Sequence, residues 1–406
     1  MTFFTDDQKT VLDLLSGTSE HHESYVDFLS GPLADFIAET VAPRAATNDK
    51  DELFAADLFA PLGELGMIGL SAKEAYGGMG ACFSYYNAAL ESLAKADAGF
   101  ALGVAIHGTC CDGLSRFASS ALNARYLPDL VAGKRIAAFS LSEPDAGSDA
   151  KAMKTVYRKD GAHYVLSGSK YWITNGLSAD VFFVMARGPA GEISSFLVDK
   201  AKPAGGRFEQ HKIADKMGVR GSNTAELTFA DCRVPADQLI GEEGQGFRYA
   251  MEMLNGGRVT IASWSVGVAQ GAYEKLMKYA HERAMFGAFL KDLDNTKREL
   301  AEMAIEIVAS RHLAYAAAHH KTRGADIRKH AAMAKVKASE TAVYVSERAI
   351  ELAGGYGYVG DSKIERHLRD ALLARIGEGA NELLRCVVIP RVLLAEYAAK
   401  PIAKIW

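Results

Sequence analysis

The stretch "HYVLSGSKYWITNG", His163 to Gly176, interrupts a chain whose flanks read as helix. It is rich in β-branched and aromatic residues, which predicts a strand carrying Trp172 and Thr174. It closes on Asn-Gly, a pair that predicts a type I′-like turn. Similar short runs surround it: "DVFFVMARG", "ISSFLVDK" and "AELTFADCRV", separated by turn material such as "RKDGA" and "RGPAGE". Strands therefore occupy the chain between Arg135 and Gly241. Upstream, Asp49 to about Ala132 shows helical periodicity, as in "FSYYNAALESLAKAD" and "ALNARYLPDLVAG". Downstream of "GEEGQGF" four long helical segments are expected: Phe247–Glu282, Asp294–Arg323, Asp326–Ala353 and Ile364–Tyr397. Helices, then strands, then a bundle predict an α+β chain in three parts, 1–134, 135–241 and 242–406. No repeat or low-complexity linker separates them, so tight packing is expected.

Bulk composition narrows the function classes. The 406 residues carry a net charge of -4, so no global basic field draws nucleic acid to the chain. Apolar runs such as "VFFVMA" and "CVVIP" fall far short of the ~20 residues that span a bilayer. The opening "MTFFTDDQKTVLDLL" is acidic, without the basic start of a presequence. The five cysteines form no CxxC pair and their number is odd, which argues against a disulfide framework and for a reducing, cytoplasmic setting.

Several motifs invite chemistry and support little of it. The pairs His21-His22 and His319-His320 lack acidic or cysteine partners at ligand spacing, so no metal is expected. "GEEGQGF" lacks the strand, turn and helix order of a phosphate loop and reads as a connector. "KHAAMAKVKAS" reads as a basic, solvated helix face. "FSLSEPDAGSDA", Phe139 to Ala150, is a polar turn rich in hydroxyls and backbone N–H groups, suited to a heterocycle or a phosphorylated ligand. In "RIGEGANELLR", Arg375 to Arg385, Glu378 stands between Gly377 and Gly379. Each glycine costs about 1 kcal/mol against alanine inside a helix, so either the helix turns there or something large lies against that backbone.

Taken together these stretches resemble the acyl-CoA dehydrogenase flavoprotein family, over roughly Leu29 to Leu394. "FSLSEPDAGSD", "GSKYWITNG", "KMGVRGSNTAEL", "ERAMFG", "ELAGGYGY" and "RDALLARIGEGANELLR" arrive in the family's order. The resemblance implies an N-terminal helical domain, a central β-barrel-like domain and a C-terminal four-helix bundle. It implies FAD, an acyl-CoA substrate, an electron-transfer flavoprotein as acceptor and a homotetramer, with no nucleic-acid or membrane partner. It makes Glu378 the catalytic base that removes the α-proton of an acyl thioester while a β-hydride passes to the flavin. On the same ground Phe139, Leu141, Ser142, Trp172, Ile173 and Thr174 line the flavin ring. Ser148 serves cofactor and substrate. Arg283, Phe286, Gly354 and Gly355 meet the diphosphate and adenosine half, and Asn255, Arg258 and Gly379 the acyl site.

The departures from the family pattern carry their own expectations. Some branched-chain members place the base immediately before the arginine matching Arg258; here that position is Gly257, which leaves Glu378. Residue 377 is usually large, so Gly377 implies room for a branched, cyclic or otherwise bulky acyl group. Ala101 replaces the arginine of glutaryl-type members, which disfavours a dicarboxylic substrate. Asp294, Glu351 and Ala380, with Glu382 on the flavin side too, imply looser FAD unless lysine or arginine offsets the two acids. The competing readings are a dehydrogenase of carrier-bound acyl groups, a flavin oxidase, or a flavin-bound scaffold without turnover.

Overall fold

The computed structural model describes residues 2–201 and 205–399. The chain folds into two compact units, each assembled from separate segments. One comprises Met1–Glu39, Cys82–Ala98 and Arg258–Trp406; the other comprises Thr40–Ala81 and Gly99–Gly257. This partition groups the segments differently from the three consecutive parts expected above.

The second unit is organised by a mixed sheet. Its strands are β1 (Ala137–Ser140), β2 (Val156–Asp160), β3 (His163–Thr174), β4 (Val181–Arg187), β5 (Ile193–Asp199), β6 (Arg207–Lys212), β7 (Thr224–Pro235) and β8 (Leu239–Ile240). Their order is β6-β7-β3-β2-β4-β5-β8, with β1 parallel to β4 in the register Ala137↔Val181. Residues of β4 and β5 are almost all buried, as unbroken apolar runs predict for strands covered on both faces. The edge strand β6, "RFEQHK", has no buried residue. Leu122, Leu127 and Leu130 from the helix Ser120–Val131 pack with Val181, Phe183, Met185 and Leu197 into one core cluster. Gly246 opens the next helix against β5, where a Cβ would stand 2.4 Å from the Ser194 carbonyl carbon; only glycine fits so close an approach. That closeness explains the final glycine of "GEEGQGF".

The Asn-Gly pair after β3 does not make the type I′ turn its sequence suggests. Among its two residues only Asn175 is left-handed (φ 65°), and β3 pairs with β2 and β7 rather than with β4. The Asn175 amide is taken instead by the Gly103 and Ala137 carbonyls, at 2.9 and 3.1 Å. Burial of that side chain selects the conformation.

The first unit is helical. It contains Phe83–Ala96, most of Gly246–Glu282, Asp294–Thr322, Arg328–Ala353 and Glu365–Ile376. The helix Phe83–Ala96 is buried from Ser84 to Ala96, which forces its two charges to find partners. Glu91 accepts from Arg311 Nη2 at 2.8 Å and from the Tyr315 hydroxyl at 2.8 Å, and the Gln8 amide donates to Tyr315 at 3.3 Å. Lys95 pairs with Glu274. Gln8 reaches this network from the helix Asp6–Ser16, whose start is fixed by a capping box between Thr5 and Gln8.

The last segment differs from the expected continuous helix Ile364–Tyr397. Helix Glu365–Ile376 stops, residues 377–380 are non-helical, and helical structure resumes at Asn381 before Ile389–Ala399. Gly377 is extended, then Glu378 (φ 54°) and Gly379 (φ 94°) are both left-handed, a sequence no α-helix accommodates.

Arg311→Met should destabilise the protein by about 3–5 kcal/mol in denaturant unfolding, because Glu91 is left buried without its cation. The double variant with Glu91→Leu should lose less than the sum of the two single changes; strict additivity would refute the coupling.

Candidate active site

Glu378 sits on the left-handed turn that breaks the last helical segment. Arg258, from the helix Gly246–Glu282, donates Nε to the Glu378 carbonyl at 3.2 Å. Lys335, from the helix Arg328–Ala353, donates Nζ to the Gly379 carbonyl at 2.7 Å and to Asn381 Oδ1 at 2.8 Å. Asn381 in turn donates to Ser339 and Glu340, at 2.9 and 2.8 Å. The turn is held by its main chain, and the carboxylate is left for other work.

Glu378 is half-buried; its Oε2 is shielded from water and, among the described residues, has no hydrogen-bond partner. Desolvation of a carboxyl disfavours its ionised form. Burial pushes the Glu378 carboxyl up to about 7, against the opposing pull of Arg258 and Lys335. A proton acceptor balanced near neutrality is what general-base chemistry on a weak carbon acid requires. The two glycines differ in their duties. Gly379 needs its positive φ, and a Cβ there would stand 3.4 Å from Arg258 Nη2. At Gly377 (φ -73°) a Cβ would meet only Leu373 atoms, the nearest at 3.4 Å, so the fold does not demand glycine at that position.

The β unit carries a second set of predicted residues. The loop after β1 is stitched to β3: Tyr171 N donates to the Ser142 carbonyl at 2.9 Å, and Lys170 Nζ donates to the Leu141 carbonyl at 3.1 Å. Lys170 also binds Glu143 at 2.8 Å, and Glu143 accepts the Thr155 backbone N–H at 3.0 Å. Burial brings the Lys170 ammonium down to about 8. These bonds set Phe139, Leu141 and Ser142 beside the end of β3. There a break in register between Lys170 and Ile173 turns Trp172 outward with φ 63°. Its indole is 60% exposed, unusual for so large an apolar ring, while Ile173 is buried and Thr174 partly so. Ser148 stands exposed farther along the loop.

In the helical unit, Arg283 and Phe286 occupy a small hairpin that follows the helix Gly246–Glu282, with the Phe286 ring 91% exposed. Tyr279, just before it, stacks on Tyr356, which follows Gly354 and Gly355 in the chain, with ring centroids 4.8 Å apart. Asn255, in the part of the helix Gly246–Glu282 that belongs to the β unit, is buried.

Three family descriptions match the chain in order: acyl-CoA dehydrogenase N-terminal domain over residues 29–134, middle domain over 138–232 and C-terminal domain over 244–393. The chain belongs to the acyl-CoA dehydrogenase family. It is 37% identical to the mitochondrial short-chain specific acyl-CoA dehydrogenase of Rattus norvegicus, covering 88% of each chain. A solved structure of butyryl-CoA dehydrogenase from Megasphaera elsdenii superposes with TM-score 0.86 at 35% identity, covering 96% of this chain and 98% of that one. A chain from work on the electron transferring flavoprotein of Acidaminococcus fermentans gives TM-score 0.87 at 37% identity, covering 96% of this chain and 98% of its own.

This acyl-CoA dehydrogenase uses FAD as its cofactor, and the residues present fit that group. Trp172 and Phe286 offer apolar faces that the protein itself leaves uncovered. The acids expected to repel a diphosphate already have cations: Asp294 pairs with Lys297 at 3.2 Å, and Glu351 with Arg348. Glu382 likewise pairs with Arg385 at 2.9 Å, and Ala380 is partly buried beside it.

Lys335 corrects an expectation from the sequence. The stripe "KHAAMAKVKAS" is not simply a solvated face, because Lys335 is fully buried. The signal was available: Lys335 falls on the helical stripe of the buried alanines Ala331, Ala334, Ala338 and Ala342. Lys170 and Glu143 were also missed as supports of the loop. Among the described residues no cluster of His, Cys, Asp and Glu could hold a metal, and no helix is long and apolar enough to cross a membrane.

Because the Glu378 carboxyl is raised in the fold, its contribution to stability is full below its unfolded value and is lost as pH rises through about 7. In flavin-free protein Glu378→Gln should therefore gain stability on wild type, on the order of 2 kcal/mol, between pH about 4.5 and about 8. Parallel melting curves showing a pH-independent difference would contradict the shift.

Proposed function

We propose that this acyl-CoA dehydrogenase introduces an α,β double bond into a short acyl-CoA, with Glu378 as the base. The observation that carries the reading is the Glu378 carboxyl, its Oε2 shielded from water with no partner among the described residues and its proton affinity raised toward neutrality, on a turn of two left-handed residues. Glu378 takes the α-proton of the thioester. Its backbone N–H, beside the side-chain-free Gly379, donates to the thioester carbonyl and stabilises the charge that develops there. FAD, when bound, supplies the acceptor for the β-hydride. Phe139, Leu141, Ser142, Trp172, Ile173 and Thr174 orient the ring. Arg283, Phe286, Gly354 and Gly355 meet the diphosphate and adenosine half. Asn255, Arg258 and Ser148 serve the substrate.

A short chain is supported by the names of the relatives, and an electron-transfer flavoprotein as acceptor by the Acidaminococcus neighbour. A homotetramer and the working segments 1–134, 135–241 and 242–406 belong to the same reading. The absence of a fold requirement for Gly377 supports a further refinement: the space it leaves admits a branch or ring near the α- and β-carbons.

Anaerobic mixing with a panel of acyl-CoAs should bleach the visible flavin band. Glu378→Gln should slow that bleaching by about 10²–10⁴-fold, the range for loss of a general base. An unaffected variant would end the assignment. Gly377→Tyr should depress turnover of branched or cyclic substrates at least tenfold more than of straight chains of equal carbon number, on the order of 1–3 kcal/mol of lost fit. Equal losses on both would remove the pocket argument.

A further inference from the structure

Lys335 is buried completely in a helical unit; burial brings its ammonium down to about 7, against the opposing pull of Glu378 and Glu340, so its charge is carried on the acidic side of neutrality and depends on its partners. Its two acceptors are not a structural salt bridge in the core. They are the Gly379 carbonyl and Asn381 Oδ1, on residues one and three places after Glu378. Two successive carbonyls of the turn are thus taken by cations from two different helices: that of Glu378 by Arg258 and that of Gly379 by Lys335. Fixing consecutive carbonyls fixes the peptide planes around Glu378, and with them the direction of its side chain. A non-glycine residue with positive φ persists only where its surroundings over-determine it.

The same helix face secures the ends of the segment. Ser339 and Glu340, four and five residues after Lys335, bind Asn381, and Glu340 also holds Arg375 at 2.5 Å and Arg385 at 3.2 Å. The charged groups around the turn are therefore Arg258 from Gly246–Glu282, Lys335 and Glu340 from Arg328–Ala353, Arg375 from Glu365–Ile376, and Arg385 beyond the break. Of these, Arg258 and Lys335 act on the Glu378 carboxyl, both favouring its ionised form.

We propose that Lys335 is a positioning residue for the base: its Nζ holds the Glu378–Gly379 turn through the Gly379 carbonyl and Asn381, and places positive charge beside the carboxylate. The proposal rests on the reading of Glu378 as the base.

The test is the pH profile of kcat/KM for Lys335→Met and Lys335→Gln holoenzymes, with Glu378→Gln as reference. Lys335→Met should lower kcat about tenfold or more while KM changes less than about threefold, the pattern of a misplaced base. Its acidic limb should move to higher pH, because removing a cation makes the carboxylate harder to form. Lys335→Gln retains a donor for the Gly379 carbonyl without charge; it should move the limb similarly and recover part of kcat. Should Lys335→Met fail to fold, the limb of Lys335→Gln decides alone. A limb that stays at its wild-type position, with or without a loss of kcat, overturns the proposal and makes Lys335 a structural residue. A fully active Glu378→Gln defeats the base assignment itself; an inactive one beside an unshifted Lys335→Gln limb defeats only the role of Lys335.

Discussion

The break between Ile376 and Asn381 is the constraint around which the helical unit is arranged. A helix that ran on would keep its carbonyls for itself. By stopping, it presents two main-chain oxygens in succession, and Arg258 and Lys335 turn toward them. Neither cation forms an ion pair with the carboxyl it flanks, so Glu378 keeps a raised affinity for its proton while its backbone is fastened. A direct ion pair to Glu378 would have lowered that affinity.

Charge burial follows the same rule elsewhere in the chain. Glu91 with Arg311 and Tyr315, and Glu143 with Lys170, are buried acids whose oxygens are filled by donors. At Glu143 burial opposes ionisation, but Lys170 and the Thr155 and Lys154 N–H donors outweigh it, so the carboxyl lies below its ordinary value. Glu378 differs in having cations nearby but an oxygen with no donor.

Much of this was legible in the sequence, for identifiable reasons. The strands β3, β4, β5 and β7 are long and dense in β-branched and aromatic residues, so they stood out. The others did not: β1 has four residues, β2 is "VYRKD", and β6 is a polar, water-facing edge. The capping box at Thr5 was present in "TDDQ" but was not used to start a helix. The glycines around Glu378 raised the right question, yet periodicity ran through them, because helical spacing on both sides of a four-residue interruption stays nearly in phase. Lys335 was misread for the opposite reason: its residue type argued for solvent while its stripe argued for the core. Packing decided, as it does when a polar partner waits inside.

On the flavin placement proposed above, the stitching of the Leu141–Glu143 loop by Lys170 bears on how the cofactor is received. The bonds that order that loop lie wholly within the polypeptide, from Lys170 to Leu141 and Glu143 and from Glu143 to Thr155. The loop is therefore shaped before anything arrives, and docking need not restrict its backbone further. Recognition at this edge is closer to lock-and-key than to coupled folding, and the entropy of assembling the platform is settled during synthesis of the protein rather than at each encounter.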